Sequence, residues 1–115
     1  MMKCKKWEVW FARVKFDDSN EIKKRPVLII GENRGLIISL KMTSQDARDS
    51  SDYPLKHWVK AGLDRETTIR VSKVCLLNDN DLAWKMGRIS EYDILQVQRR
   101  FCHFVQKSTP VDEIT

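Results

Sequence analysis

The sequence predicts a mainly β fold of the α+β class, a small SH3-like barrel built as a strongly bent antiparallel sheet, with short helices and one C-terminal helix. Three observations predict it. Short apolar or alternating runs recur between polar loops over the first two thirds of the chain, with the period of two that marks strands. The one sustained helical period comes last, through Ile94, Val97, Phe101, Phe104 and Val105. A length of 115 residues with 42% apolar content is enough for a core without metals or disulfides, and residues 1–115 read as one domain.

Residues 7–16 form the first expected strand, with Trp10, Ala12, Val14 and Phe16 on one face and Phe11, Arg13 and Lys15 on the other. Asp17-Asp18-Ser19-Asn20 is a turn, followed by a polar stretch. Residues 26–30 are apolar throughout, as a central strand requires, with Pro26 at the tolerated first position. Glu32-Asn33-Arg34-Gly35 makes a hairpin into residues 36–42, where Leu36, Ile38, Leu40 and Met42 share one face and Ile37, Ser39, Lys41 and Thr43 the other. A polar loop, residues 45–52, leads to a short helix expected between Pro54 and Gly62.

Residues 67–77 form another strand. Ile69 and Val71 face one way but Val74 and Leu76 the other, which predicts a bulge near Ser72-Lys73. Residues 78–86 are expected as a short helical turn stopped by Gly87. Ser90 and Asp93 have the spacing of a capping box at the head of the last helix, which leaves Arg99, Arg100 and Lys107 for solvent or a partner. Residues 108–115 read as a frayed tail.

Lys and Arg number 21 against 16 Asp and Glu, a net charge of +5 that favours an anionic partner, either nucleic acid or an acidic peptide. Three cysteines without a Cys-x-x-Cys spacing speak against a disulfide framework or a zinc site and for a reducing compartment; no metal or cofactor is expected. The basic N-terminus lacks the apolar stretch of a signal peptide. No run approaches the roughly 18 apolar residues of a membrane helix, so a cytoplasmic protein with no membrane partner is expected.

The chemistry concentrates in two motifs. Lys23-Lys24-Arg25-Pro26 runs straight into a strand, and Met42-Thr43-Ser44 ends the next one in adjacent hydroxyls. A guanidinium fork at Arg25 suits bidentate capture of phosphate, and Thr43 and Ser44 can donate to the same group. Lys24, Lys41 and Arg70 are candidate phosphate-binding cations. His57 is a possible general base because imidazole titrates near neutrality. Each has a plainer reading: an ion-paired arginine, a hydroxyl capping a strand end, a surface histidine. Tyr53 and Trp58 can stack bases or pack, while Trp7, Trp10 and Trp84 suit the core or a subunit interface.

Val9-Trp10-Phe11 with Val14 and Phe16, then Lys24-Arg25-Pro26-Val27-Leu28-Ile29-Ile30, Ile37-Ile38 leading to Thr43-Ser44, Arg70-Val71 and Met86-Gly87-Arg88-Ile89-Ser90 occur in an order that resembles the PemK/MazF family of bacterial toxin endoribonucleases. The chain departs from that pattern at Lys6-Trp7-Glu8, where a Gly-Asp pair is usual, in the glycine-free loop before Arg25, in the insert-like stretch from Asp52 to Trp58, and at Ser72, where some relatives carry an acid. The resemblance implies metal-independent, sequence-specific cleavage of single-stranded RNA to 2′,3′-cyclic phosphate and 5′-hydroxyl ends, and inhibition of growth. It implies acid–base and phosphate-stabilising roles for the position of Arg25 and phosphate holding for that of Thr43. It also implies a homodimer and a cognate antitoxin with an acidic, disordered tail. The alternative is a non-catalytic SH3-like module that binds nucleic acid or protein, which Ser72 and the altered loop would suit.

Overall fold

The computed structural model describes residues 3–15 and 21–108. Six strands, β1 (Glu8–Lys15), β2 (Ile22–Asn33), β3 (Leu36–Thr43), β4 (Asp52–Pro54), β5 (Thr68–Leu77) and β6 (Leu82–Arg88), form one antiparallel sheet, and α1 (Glu91–Ser108) follows it. The strand order is β4-β5-β3-β2-β1-β6. The sheet is bent but not closed, so β4 and β6 remain edges. The expected turn at residues 17–20, Phe16 and the tail beyond residue 108 lie outside the described residues.

The sheet buries both of its faces, which explains the apolar run in β2. Leu28 enters a core with Val9, Leu40, Met42, Ile69 and Val71, while Val27 and Ile29 enter a second with Trp10, Ala12, Val14 and Ile37. Helix α1 covers the first core through Ile94 and Val97, with Phe101 partly buried against it. The later apolar residues of the helical period reach less far, and Val105 is exposed.

β2 is longer than its apolar run and takes in the basic motif. Pro26 therefore sits inside the strand, opposite Phe11 of β1; the ladder with β3 begins only at Val27, so the missing N–H falls where β2 has one neighbour. Arg34 and Gly35 both have positive φ, as a two-residue hairpin turn of the favoured twist requires. The expected bulge is present. β3 residues Leu40 and Lys41 pair with Val74 and Arg70, so residues 71–73 of β5 have no counterpart, and the strand exchanges faces.

Two expected helices are absent. β4 ends at Pro54, and from there to Gly62 the chain forms successive turns, with the Ala61 N–H on the His57 carbonyl at 3.2 Å and the Gly62 N–H on the Val59 carbonyl at 3.0 Å. The reason lies in distant contacts. The amides of Lys56 and His57 donate to the Asp93 carboxylate at 3.1 and 3.0 Å. Gly62 and Gly87 press backbone to backbone, and a Cβ on either would collide with a carbonyl of the facing segment.

Residues 79–81 form only a 3₁₀ turn, after which β6 pairs with the edge of β1. The local helical pattern of Leu-Ala-Trp-Lys-Met yields to a long-range ladder. No described helix is long and apolar enough to cross a membrane.

Candidate functional site in a basic groove

An open groove of about 650 Å³ lies where the ends of β2 and β3 meet the loop before β5. Lys24, Arg25, Lys41, Thr43, Ser44 and Arg70 all line it, so every predicted site residue but His57 is brought together. The antiparallel ladders explain why: Arg25 lies two residues from Val27, Val27 faces Lys41, and Lys41 faces Arg70. Arg25 is half-buried, and its Nη1 donates to the Lys24 carbonyl at 2.9 Å. The Thr43 Oγ1 accepts the Gln45 N–H at 3.2 Å, which leaves the hydroxyl proton available to donate outward. Asp64 and Arg65 also line the groove, and Asp64 is the one carboxylate among the described lining residues. Its partner is the exposed Arg65, at 3.3 Å.

Arg70 differs from the expectation of a second phosphate cation. It is 3% exposed and ion-paired with Asp52, its register partner on β4. Its second nitrogen donates to the Gln45 side-chain oxygen at 3.0 Å. Burial of a guanidinium demands such a partner, since removing one member of a buried pair typically costs about 3–5 kcal/mol. Asp52 also accepts the Arg48 N–H at 2.9 Å. Residue 72 is a serine rather than an acid; the neighbouring strand supplies the acid through the insert-like segment. Asp52 and Gln45 were both missed, because their link to Arg70 spans 18 and 25 residues and leaves no local pattern.

His57 does not line the groove. Its Nδ1 lies 2.7 Å from Ser90 Oγ and 3.8 Å from Asp93 Oδ2, at the head of α1. Asp93 is fully buried there and accepts from Tyr53, Ser90 and the Lys56 and His57 amides. The Ser90 hydroxyl in turn accepts the Asp93 N–H at 3.2 Å, the capping contact that the spacing predicted. Burial alone would raise the Asp93 carboxyl, but the hydrogen bonds from Tyr53, His57, Lys56 and Ser90 outweigh it and hold the group below its ordinary value. Burial, and then the Asp93 carboxylate, push the Tyr53 hydroxyl upward.

The aromatic side chains divide between core and surface. Tyr53 is buried in this network and is not a stacking surface; Trp58 is partly buried against the core. Trp10 is buried with its Nε1 donating to Glu8 at 2.9 Å. Burial raises the Glu8 carboxyl, yet bonds from Trp10, Lys85 and the Lys5 amide leave it below its ordinary value. Trp7 has φ 74°, a conformation that favours glycine, so the departure from Gly-Asp puts a strained tryptophan before an acid. Trp84 is not in the core; it is 52% exposed and stacks on Phe11, a groove residue, at 4.6 Å.

Chemically, the groove offers a guanidinium, lysines and hydroxyls to an anion. No group of three His, Cys, Asp or Glu side chains converges to hold a metal ion among the described residues.

The fold is similar to that of the Mycobacterium tuberculosis toxin MazF-mt6, with a TM-score of 0.67 and 15% identity over 84% of this chain and 93% of that one. It is similar to MazF of Deinococcus radiodurans, with a TM-score of 0.66 and 13% identity over 88% and 94% of the two chains. A mycobacterial endoribonuclease solved with its cognate antitoxin gives a TM-score of 0.69 and 10% identity over 91% and 97%. No curated protein sequence matches significantly. The family model for the PemK-like, MazF-like toxin of type II toxin-antitoxin systems matches residues 5–105. With nearly the whole described sheet and helix inside that match, the chain belongs to the PemK-like, MazF-like toxin family.

Proposed function

We propose that this protein is the growth-inhibiting toxin of a type II toxin-antitoxin pair and that it cuts single-stranded RNA without a metal ion. The observation that carries the proposal is the convergence of Arg25, Thr43, Ser44 and Lys41 in one open groove. The ribose 2′-hydroxyl attacks the adjacent phosphorus, the bond to the 5′-oxygen breaks, and the products are a 2′,3′-cyclic phosphate and a 5′-hydroxyl. Arg25 has the electrostatic role. A guanidinium stays protonated at neutral pH and cannot take the 2′ proton, but it stabilises the charge that gathers on the phosphorane oxygens. Thr43 donates its hydroxyl to a non-bridging oxygen, and Lys24 and Lys41 hold the flanking backbone.

Asp64 is assigned the 2′ proton, being the carboxylate on the groove wall. Water protonates the departing 5′-oxygen. His57 has no part, because it sits in the Asp93 network.

The active form is proposed to be a homodimer in the cytoplasm, neutralised by an antitoxin whose acidic segment covers the basic groove. The structures of the mycobacterial endoribonuclease with its cognate antitoxin and of Deinococcus MazE-MazF support the antitoxin partnership.

A second reading has one observation in its favour: no histidine lines the groove among the described residues, so the site also suits a module that binds RNA without cutting it. Incubation of the protein with long single-stranded RNA in EDTA, followed by mapping of the ends, separates the two. Discrete cuts bearing 5′-hydroxyls that vanish in Arg25→Ala support the nuclease. Retained binding with intact RNA supports the module.

A further inference from the structure

We infer that Gln45 contacts the substrate, donating its side-chain N–H groups to an acceptor oxygen of the bound nucleic acid, and that the buried Asp52–Arg70 pair is the device that presents it. This inference rests on the groove's being the nucleic-acid site proposed above.

Gln45 lines the groove and is exposed. An unconstrained exposed amide would present oxygen or nitrogen with equal ease. Here the choice is fixed, because Oε1 accepts from Arg70 at 3.0 Å. A guanidinium has donors and no acceptor, so the flipped amide would set donor against donor. The two N–H groups are therefore the end left for a ligand, and among the described residues they have no hydrogen-bond acceptor. A ligand that meets them must offer an oxygen or nitrogen lone pair.

The fixing group is itself fixed. Arg70 is buried, its charge is matched by Asp52, and Asp52 is held in β4 directly opposite it. Asp52 also takes the Arg48 amide, while the Gln45 amide is held by Thr43, so the loop between them is tied at both ends. The same Gln45–Thr43 contact occupies a lone pair of the Thr43 oxygen and leaves its proton to donate. One relay thus orients the Gln45 donors, next to the Thr43 hydroxyl in the groove lining. Asp52 and Arg70 act through these residues and are positioning residues.

The competing role for Gln45 is purely structural, as an acceptor that satisfies Arg70. Gln45→Glu separates the two, because a carboxylate still accepts from Arg70 but donates nothing. Gln45→Met removes the donors without adding charge. Both variants and the wild type are compared for melting temperature, for cleavage of all-ribose RNA in EDTA, and for binding to the same oligonucleotides made uncleavable by 2′-deoxy substitution.

The inferred contact predicts unchanged melting in Gln45→Glu, with binding weakened roughly 10- to 100-fold, and weakening of roughly 10-fold in Gln45→Met. Weakening that is uniform across oligonucleotide sequences identifies a phosphate oxygen as the acceptor; weakening confined to one base identifies a base carbonyl. Wild-type binding by Gln45→Met overturns the contact even where the wild type cuts RNA. Binding without cutting by the wild type, still weakened in both variants, overturns the nuclease and keeps the contact. No binding by the wild type overturns both.

Discussion

The groove around Arg25 and the network around Asp93 both gather polar side chains, yet they are built in opposite ways. Around Asp93 every strong donor meets an acceptor: Tyr53, Ser90 and two backbone amides converge on one fully buried carboxylate. The groove is open and is lined by hydroxyl, amide and cationic side chains, with Asp64 as the one carboxylate among the described lining residues. Buried matched groups stabilise a fold; donors gathered around an open concavity suit a ligand. Arg70 belongs to both regions, since it lines the groove but is matched internally by Asp52. Proximity to a site therefore does not make a cation a ligand for phosphate.

The largest expected effect breaks the groove and spares the network. Arg25→Ala should lower the RNA cleavage rate by about 10²–10³ with little change in melting temperature, measured by single-turnover kinetics and thermal denaturation. Asp64→Asn should lower the rate by about 10² if it takes the 2′ proton, again without loss of stability.

The reverse substitution spares the groove. Asp93→Ala leaves the Tyr53 hydroxyl and two amides without an acceptor and should lower unfolding free energy by roughly 3 kcal/mol, read by urea denaturation. Because the folded Asp93 carboxyl lies below its ordinary value, the stability it contributes is complete above the unfolded value of about 4 and is lost as pH falls through the folded one. Wild type should therefore lose more stability on acidification than Asp93→Asn does. The smallest effect belongs to His57→Ala, expected to change cleavage less than about threefold, since one hydrogen bond at a half-exposed position is worth roughly 1 kcal/mol of stability and nothing to the reacting phosphate. A hundredfold loss of rate in that variant, with its melting intact, would return His57 to the mechanism.

What was legible in the sequence follows from the range of the interactions. Alternation in β1, the apolar run of β2, the β5 bulge and the Ser90–Asp93 cap are local patterns, and each appears where it was expected. Arg25 and Thr43 come together because their strands are joined by a short hairpin. β6 was not legible, because its stability comes from β1, more than 60 residues earlier in the chain. The loop before Gly62 was misread as helix because its amides are claimed by Asp93 and its glycine by β6. Asp52, Gln45 and the true setting of Arg70 share that cause.

Amide NMR shifts of the protein titrated with an uncleavable single-stranded oligonucleotide test the division of the two regions most directly. Binding in the groove should shift Lys24, Arg25, residues 41–45 and 63–65, with Lys56, His57, Ser90 and Asp93 silent. Shifts centred on the Asp93 network, with a silent groove, would contradict it.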